Sequence, residues 1–96
     1  MEREKRILNE IIEILGSEGK IKVLWALYKS HTPQTTYSII KVTGLKRVDA
    51  KRILETLKKK GVIKESDYRP KKYILNIENE KTKVLVNFFE KIEYCI

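Results

Sequence analysis

The chain has little of what marks a secreted, membrane-spanning or catalytic protein. Its single cysteine, Cys95, cannot form a disulfide within the chain, so a reducing, cytoplasmic setting is expected rather than an extracellular scaffold. No apolar run approaches the roughly 18 residues needed to cross a bilayer. The charged start Met1-Glu2-Arg3-Glu4-Lys5-Arg6 leads into an amphipathic stretch, so no membrane partner is expected. The one histidine, His31, lies beside a proline in Ser30-His31-Thr32-Pro33, and no serine or cysteine stands in a recognisable nucleophile setting. Cys95 and His31 cannot complete a four-ligand zinc site. Gly16-Ser17-Glu18-Gly19 lacks the spacing and the lysine of a phosphate-binding loop. The expectation is therefore no enzyme, no catalytic residue, no metal, no cofactor and no small-molecule ligand.

What is present is charge, in one place. The 96 residues carry 21 Lys and Arg against 13 Asp and Glu, a net +8, with 42% hydrophobic residues. That length has room for one ordinary core and that apolar fraction can close it, so residues 1–96 read as one domain. Residues 41–72 hold twelve bases against four acids, which accounts for the whole excess, while residues 1–40 and 73–96 nearly cancel. A solubilising charge has no reason to concentrate. Charge of one sign localised on a small domain is the electrostatic footprint of a nucleic-acid binder.

Apolar periodicity and punctuation place the elements. Ile7, Leu8, Ile11, Ile12, Ile14 and Leu15 recur at three- and four-residue spacing, predicting a helix over 2–15 that Gly16 ends. Ser17 caps a second helix to about Lys29, with Ile21, Val23, Leu24, Leu27 and Tyr28 on its core side. Trp25 and Tyr28 read as core rather than as a platform for stacked bases. Ser30-His31-Thr32-Pro33-Gln34 breaks the chain. A short third helix over 36–42 is capped by Thr35 and turns Ile39 and Ile40 inward. After Thr43-Gly44-Leu45, a fourth runs from Arg47 to Lys60 with Ala50, Ile53, Leu54 and Leu57 inward. Val62–Ser66 and Lys72–Ile77 have strand character about the turn Asp67-Tyr68-Arg69-Pro70. A last helix over 80–94 carries Leu85, Phe88, Phe89 and Ile92 on one stripe. The fold class is α+β, mainly α.

Two helices about a short Gly-containing turn, here over 36–60, form a helix-turn-helix unit, whose second helix fits the DNA major groove. The outward face of that helix holds Lys46, Arg47, Val48, Lys51, Arg52 and Glu55. Arginine can donate two hydrogen bonds to a guanine edge, and residues near the helix start reach deepest. Arg47, Val48 and Lys51 are the candidates for base contact, with Arg52 for base or phosphate. Asp49 reads as a cap on the helix start, or as an acceptor for a cytosine amino group. In the hairpin over 62–77, Arg69, Lys71 and Lys72, with Tyr68 and Tyr73 interleaved, are placed for phosphate, or Arg69 for a narrow minor groove; a solvated loop is the plainer alternative. Lys58-Lys59-Lys60 reads as a solvated helix end.

Leu15-Gly16-Ser17, Thr43-Gly44-Leu45-Lys46-Arg47 and Leu54-Glu55-Thr56-Leu57-Lys58-Lys59-Lys60-Gly61-Val62-Ile63 resemble the winged helix-turn-helix fold. The chain is most similar to small archaeal transcription regulators of the ArsR/MarR-like kind. The resemblance implies a two-stranded wing, a dimer on a roughly palindromic operator, recognition helices in successive major grooves and wings alongside. Lys46 stands where the family usually carries a Ser or Thr cap, and phosphate contact is its other role. The paired cysteines of metal-sensing members are absent.

The terminal helices have stripes too wide for one small core, which predicts a two-fold homodimer through Ile7, Ile11, Ile14, Leu85, Phe88, Phe89 and Ile92. Packing of the two helices on each other in a monomer is the alternative. The function expected is sequence-specific binding of double-stranded DNA by a homodimeric regulator. Two other uses stay open: a winged-helix protein-interaction module, and sequence-tolerant architectural or replication binding of duplex DNA.

Overall fold

The computed structural model describes residues 1–67 and 69–96; Tyr68, expected among the wing residues, lies outside them. Helix α1 (Glu2–Leu15) ends at Gly16, and α2 (Glu18–Lys29) starts from Ser17, whose hydroxyl accepts the Lys20 N–H. Strand β1 (Gln34–Thr35) runs into α3 (Thr36–Thr43), capped by the Thr35 hydroxyl on the Ser38 N–H. Then come α4 (Arg47–Lys59), β2 (Ile63–Glu65), β3 (Lys72–Leu75) and α5 (Glu80–Cys95), the last capped by Asn79.

The core forms where the helical stripes meet the sheet. Val23, Leu24 and Leu27 of α2, Ile39 of α3, and Ile53, Leu54 and Leu57 of α4 are buried against Val62, Ile63 and Leu75. All four inward positions expected on α4, Ala50 included, are buried. At Gly19 the start of α2 comes so close to α4 that an added Cβ would stand 2.8 Å from Ile53 Cδ1. Helix α5 is docked by Thr82, fully buried, whose hydroxyl donates to the Val62 carbonyl at 3.0 Å.

Several positions differ from the expectation. The two wing strands pair as expected, and an unexpected third strand joins them, giving an antiparallel sheet in the order β1-β3-β2. Gln34 and Thr35 pair with Tyr73 and Lys72, so the end of the break and the Thr35 cap also close the sheet edge. Ile21 faces solvent, because α2 turns Val23, Leu24, Ala26 and Leu27 inward instead; Ile40 is half-buried. Trp25 sits at the rim, its ring 5.2 Å from Tyr28 and 5.3 Å from Phe89.

The terminal helices differ as well. Ile14, Leu85 and Phe89 point into this chain's own core, not outward to a partner. Helix α1 leans on α2 and α4 only through its C-terminal part. Glu10 binds it there, accepting from Lys60 at 2.9 Å and from Lys81, while Glu13 pairs with Lys60 at 3.2 Å. Lys60 is thus an anchor and not the solvated helix end expected. Among the described residues no helix is long and apolar enough to cross a membrane.

Candidate nucleic-acid interface

The turn between α3 and α4 is made by Gly44, whose φ of +74° favours glycine because an L side chain crowds the backbone there. Its N–H closes α3 on the Ile40 carbonyl, and the Thr43 hydroxyl accepts the Leu45 N–H, tightening the exit. Leu45 packs on the core. Lys46 is the N-cap of α4 but makes no side-chain cap bond, so its charge is left outside. Asp49 does not cap either; it pairs with Arg52 at 3.3 Å, one turn on.

Burial of Ala50, Ile53, Leu54 and Leu57 turns the other face of α4 to solvent. Arg47, Lys51 and Arg52 are exposed, and Val48 is 75% exposed among them. Among the described residues Lys46, Arg47 and Lys51 have no ion-pair partner. The basic third of the sequence therefore divides into two groups. Arg52, Lys58, Lys60, Lys64 and Lys71 are held by carboxylates, whereas Lys46, Arg47 and Lys51 at the start of α4 are free. Free cations on a convex helix are what a phosphate-lined groove selects.

The wing stands beside this face. Registers Ile63↔Leu75, Lys64↔Ile74 and Glu65↔Tyr73 build the hairpin, and Ser66 closes it by donating its N–H to the Lys72 carbonyl while its hydroxyl accepts the Lys72 N–H. Arg69, Lys71 and Lys72 are exposed on or beside its tip. Lys72 has no ion-pair partner among the described residues, but Lys71 lies 3.5 Å from Glu65. Between α4 and the wing runs an open groove of about 530 Å³, lined by Arg47, Lys51, Glu55, Pro70, Lys71 and Tyr73, with Thr36 and Tyr37 at its end. Of the cations expected on the helix and on the wing, Arg47, Lys51 and Lys71 thus border one concave surface.

Sequence reasoning placed Tyr73 on the wing but missed Tyr37 and Glu65 as parts of this groove. Tyr37, largely exposed on a helix with an apolar inner face, carried a signal. Glu65 carried none, since nothing in a strand of alternating residues tells that one carboxylate will face three donors. Tyr73 donates its hydroxyl to Glu65 at 3.1 Å, and burial together with that carboxylate pushes its pKa up.

A second, apolar surface is formed by the terminal helices. Ile7, Leu8, Ile11 and Ile12 on α1, and Val84, Phe88 and Ile92 on α5, are exposed by 43% to 66%. A cavity of about 240 Å³ between the two helices is lined by Ile11, Ile14, Leu15, Val84 and Leu85, with the Glu10–Lys81 pair at its rim. Of the expected interface residues, Ile7, Ile11, Phe88 and Ile92 are on this face. Among the described residues no group of three or more His, Cys, Asp or Glu could hold a metal; His31 and Cys95 are exposed and far apart in sequence.

Residues 12–75, which span the helix-turn-helix and the wing, match the model of a family described as "Sugar-specific transcriptional regulator TrmB". No curated protein matches the chain. Among solved structures, HlyU from Vibrio cholerae is 14% identical, with TM-score 0.75 over all of both chains. The homodimeric winged helix-turn-helix DNA-binding domain of a possible ArsR-family transcriptional regulator from Mycobacterium bovis is 16% identical, with TM-score 0.68 over 97% of this chain and 86% of that one. A MarR family transcriptional regulator from Silicibacter pomeroyi is 18% identical, with TM-score 0.64 over 96% of this chain and 63% of that one. At these identities the likeness is one of fold: the chain has the winged helix-turn-helix architecture of DNA-binding transcription regulators.

Proposed function

The chain belongs to the TrmB family of transcriptional regulators, and from that premise we propose that it binds double-stranded DNA sequence-specifically as a homodimer. The observation that carries this reading is the row of unpaired cations on the exposed face of α4, next to the wing. Helix α4 enters the major groove with Arg47, Val48 and Lys51 over base edges. Arg52 contacts base or phosphate, and Lys46 phosphate. Arg69 and Lys72 follow the backbone or reach a minor groove. Two copies join through the exposed faces of α1 and α5, so that two α4 helices can address successive major grooves. The exposed apolar stripes support the pairing, as does the homodimeric state of the Mycobacterium bovis domain of like fold.

The test is a titration of the full chain against random-sequence duplex DNA over a salt series. Binding should weaken steeply, with a log–log slope of about −0.9 for each phosphate neutralised. Selection of bound duplexes from a random pool should then return a two-fold-related consensus. No binding to any duplex at low salt ends the DNA reading, and binding without enrichment ends the sequence-specific part.

A further inference from the structure

Glu65 is an acid set into a surface that has to meet phosphates. It ends β2, its side chain is 17% exposed, and it lies in the groove between α4 and the wing. Its carboxylate faces donors from three separate segments. Lys58 Nζ of α4 is at 3.4 Å, the Tyr73 hydroxyl of β3 at 3.1 Å and Lys71 Nζ of the wing at 3.5 Å. Lys58 is held from its other side by Glu55, also at 3.4 Å. Burial alone would raise the Glu65 pKa, but the Tyr73 hydroxyl, Lys58 and Lys71 outweigh it and hold the carboxyl below its ordinary range. The group is therefore an anion at neutral pH.

That placement has a cost for DNA binding of any sequence. A fixed negative charge in the groove repels the backbone, and it occupies a wing lysine that would otherwise be free to pair with phosphate. Glutamine, of the same shape, would keep one acceptor oxygen for Lys58 and could donate its amide N–H to the Tyr73 hydroxyl, without either effect. We infer that Glu65 is a positioning residue that holds Lys71 off the phosphate backbone and so limits the sequence-independent DNA affinity of the protein. The inference rests on the DNA-binding reading above. Binding to random DNA is almost wholly electrostatic, so one tethered cation is felt there directly.

Glu65→Gln keeps the shape and removes the charge. Against random-sequence duplex, its log–log salt slope should steepen by about 0.9, the value of one further phosphate contact. It should accordingly lose about 3.5-fold more affinity than the wild-type chain between ~50 and ~200 mM salt. Adding Lys71→Ala to it should return the slope to the wild-type value. An unchanged or shallower slope in Glu65→Gln overturns the inference, as does a double variant as steep as the single one. Should Glu65→Gln not fold, Lys71→Ala alone decides: its slope should equal that of the wild type, and a fall of about 0.9 shows Lys71 already on phosphate. Wild-type chain that binds no duplex at low salt removes the DNA reading itself, which is a different result from any of these.

Discussion

Phe88 offers a direct measure of the proposed homodimer. Its ring is 6.1 Å from that of Phe89, yet Phe89 is buried in the core while Phe88 remains 54% exposed on the outer face of α5. Full burial of a side chain of this size is worth about 1.5–3 kcal/mol, so covering the exposed half contributes about 1–1.5 kcal/mol per copy. A two-fold interface uses the same residue twice, which makes about 2–3 kcal/mol per dimer. That converts to a factor of about 30 to 140 in the dissociation constant. Sedimentation equilibrium of Phe88→Ala should show a weakening of this size, toward a species of 11.4 kDa. Phe89→Ala is the contrast: emptying a core position costs about 3–5 kcal/mol of folding stability, so it should lower the melting temperature. A wild-type chain that sediments at 11.4 kDa at micromolar concentration refutes the reasoning. So does Phe88→Ala with an unaltered dissociation constant.

Arg47→Ala should cost about 1–3 kcal/mol on a selected duplex and relax preference at the base it reads, whereas Lys72→Ala should weaken all duplexes alike and flatten the salt slope by about 0.9; competition between selected and random duplex separates the two. Thr82→Val removes the hydroxyl that docks α5 on the Val62 carbonyl. Because the Asn76 N–H also donates to that carbonyl, the loss should stay near 0.5–1.5 kcal/mol, about 4–8 °C of melting temperature per kcal/mol. Acid should unfold the chain through Glu10 and Glu93. Hydrogen bonds from Lys81 and Lys60 hold the Glu10 pKa below 4.5, and those from Lys29 and Tyr28 do the same for Glu93. Their contribution is complete above the unfolded value and is lost as pH falls through the lower folded values, which melting curves below pH 4.5 should show. Tyr28 has the opposite sign. Its hydrogen bond to Glu93 and its partial burial push its pKa up to about 12, so its contribution is complete below 10 and lost as pH rises toward 12. Glu93→Gln should bring tyrosinate formation at Tyr28 back toward 10 in an ultraviolet titration.

The helix-turn-helix was legible because its determinants are local. Three- and four-residue spacing placed Ala50, Ile53, Leu54 and Leu57 on one face, and that face is buried. Gly44 marked the turn, and Ser17 and Thr35 marked two helix starts through their hydroxyls. Strand β1 was not legible, since two residues have no period and their partner Tyr73 lies nearly forty positions away. The charged pairs were equally hidden. Arg52 is three residues from Asp49, but Lys60 reaches Glu10 across fifty positions and Tyr28 reaches Glu93 across sixty-five. The terminal stripes showed that too much apolar surface was present, without showing which part of it the chain would bury itself.

Alone, the sequence determined what depends on near neighbours: five helices and a hairpin, the turn before α4, and a basic third that spans α4 and the hairpin. Backbone propensity and apolar periodicity act over a few residues, so a single strand of letters carries them. Only the tertiary structure decided which charges are free and which apolar groups are spare. It withdrew Lys58, Lys60, Lys64 and Lys71 into ion pairs and left Lys46, Arg47, Lys51 and Lys72 outside. It also turned Ile14, Leu85 and Phe89 into the core and left Ile7, Ile11, Phe88 and Ile92 outside. Pairing and burial are properties of groups brought together from distant positions, and the net charge of +8 is the same whichever way they are sorted.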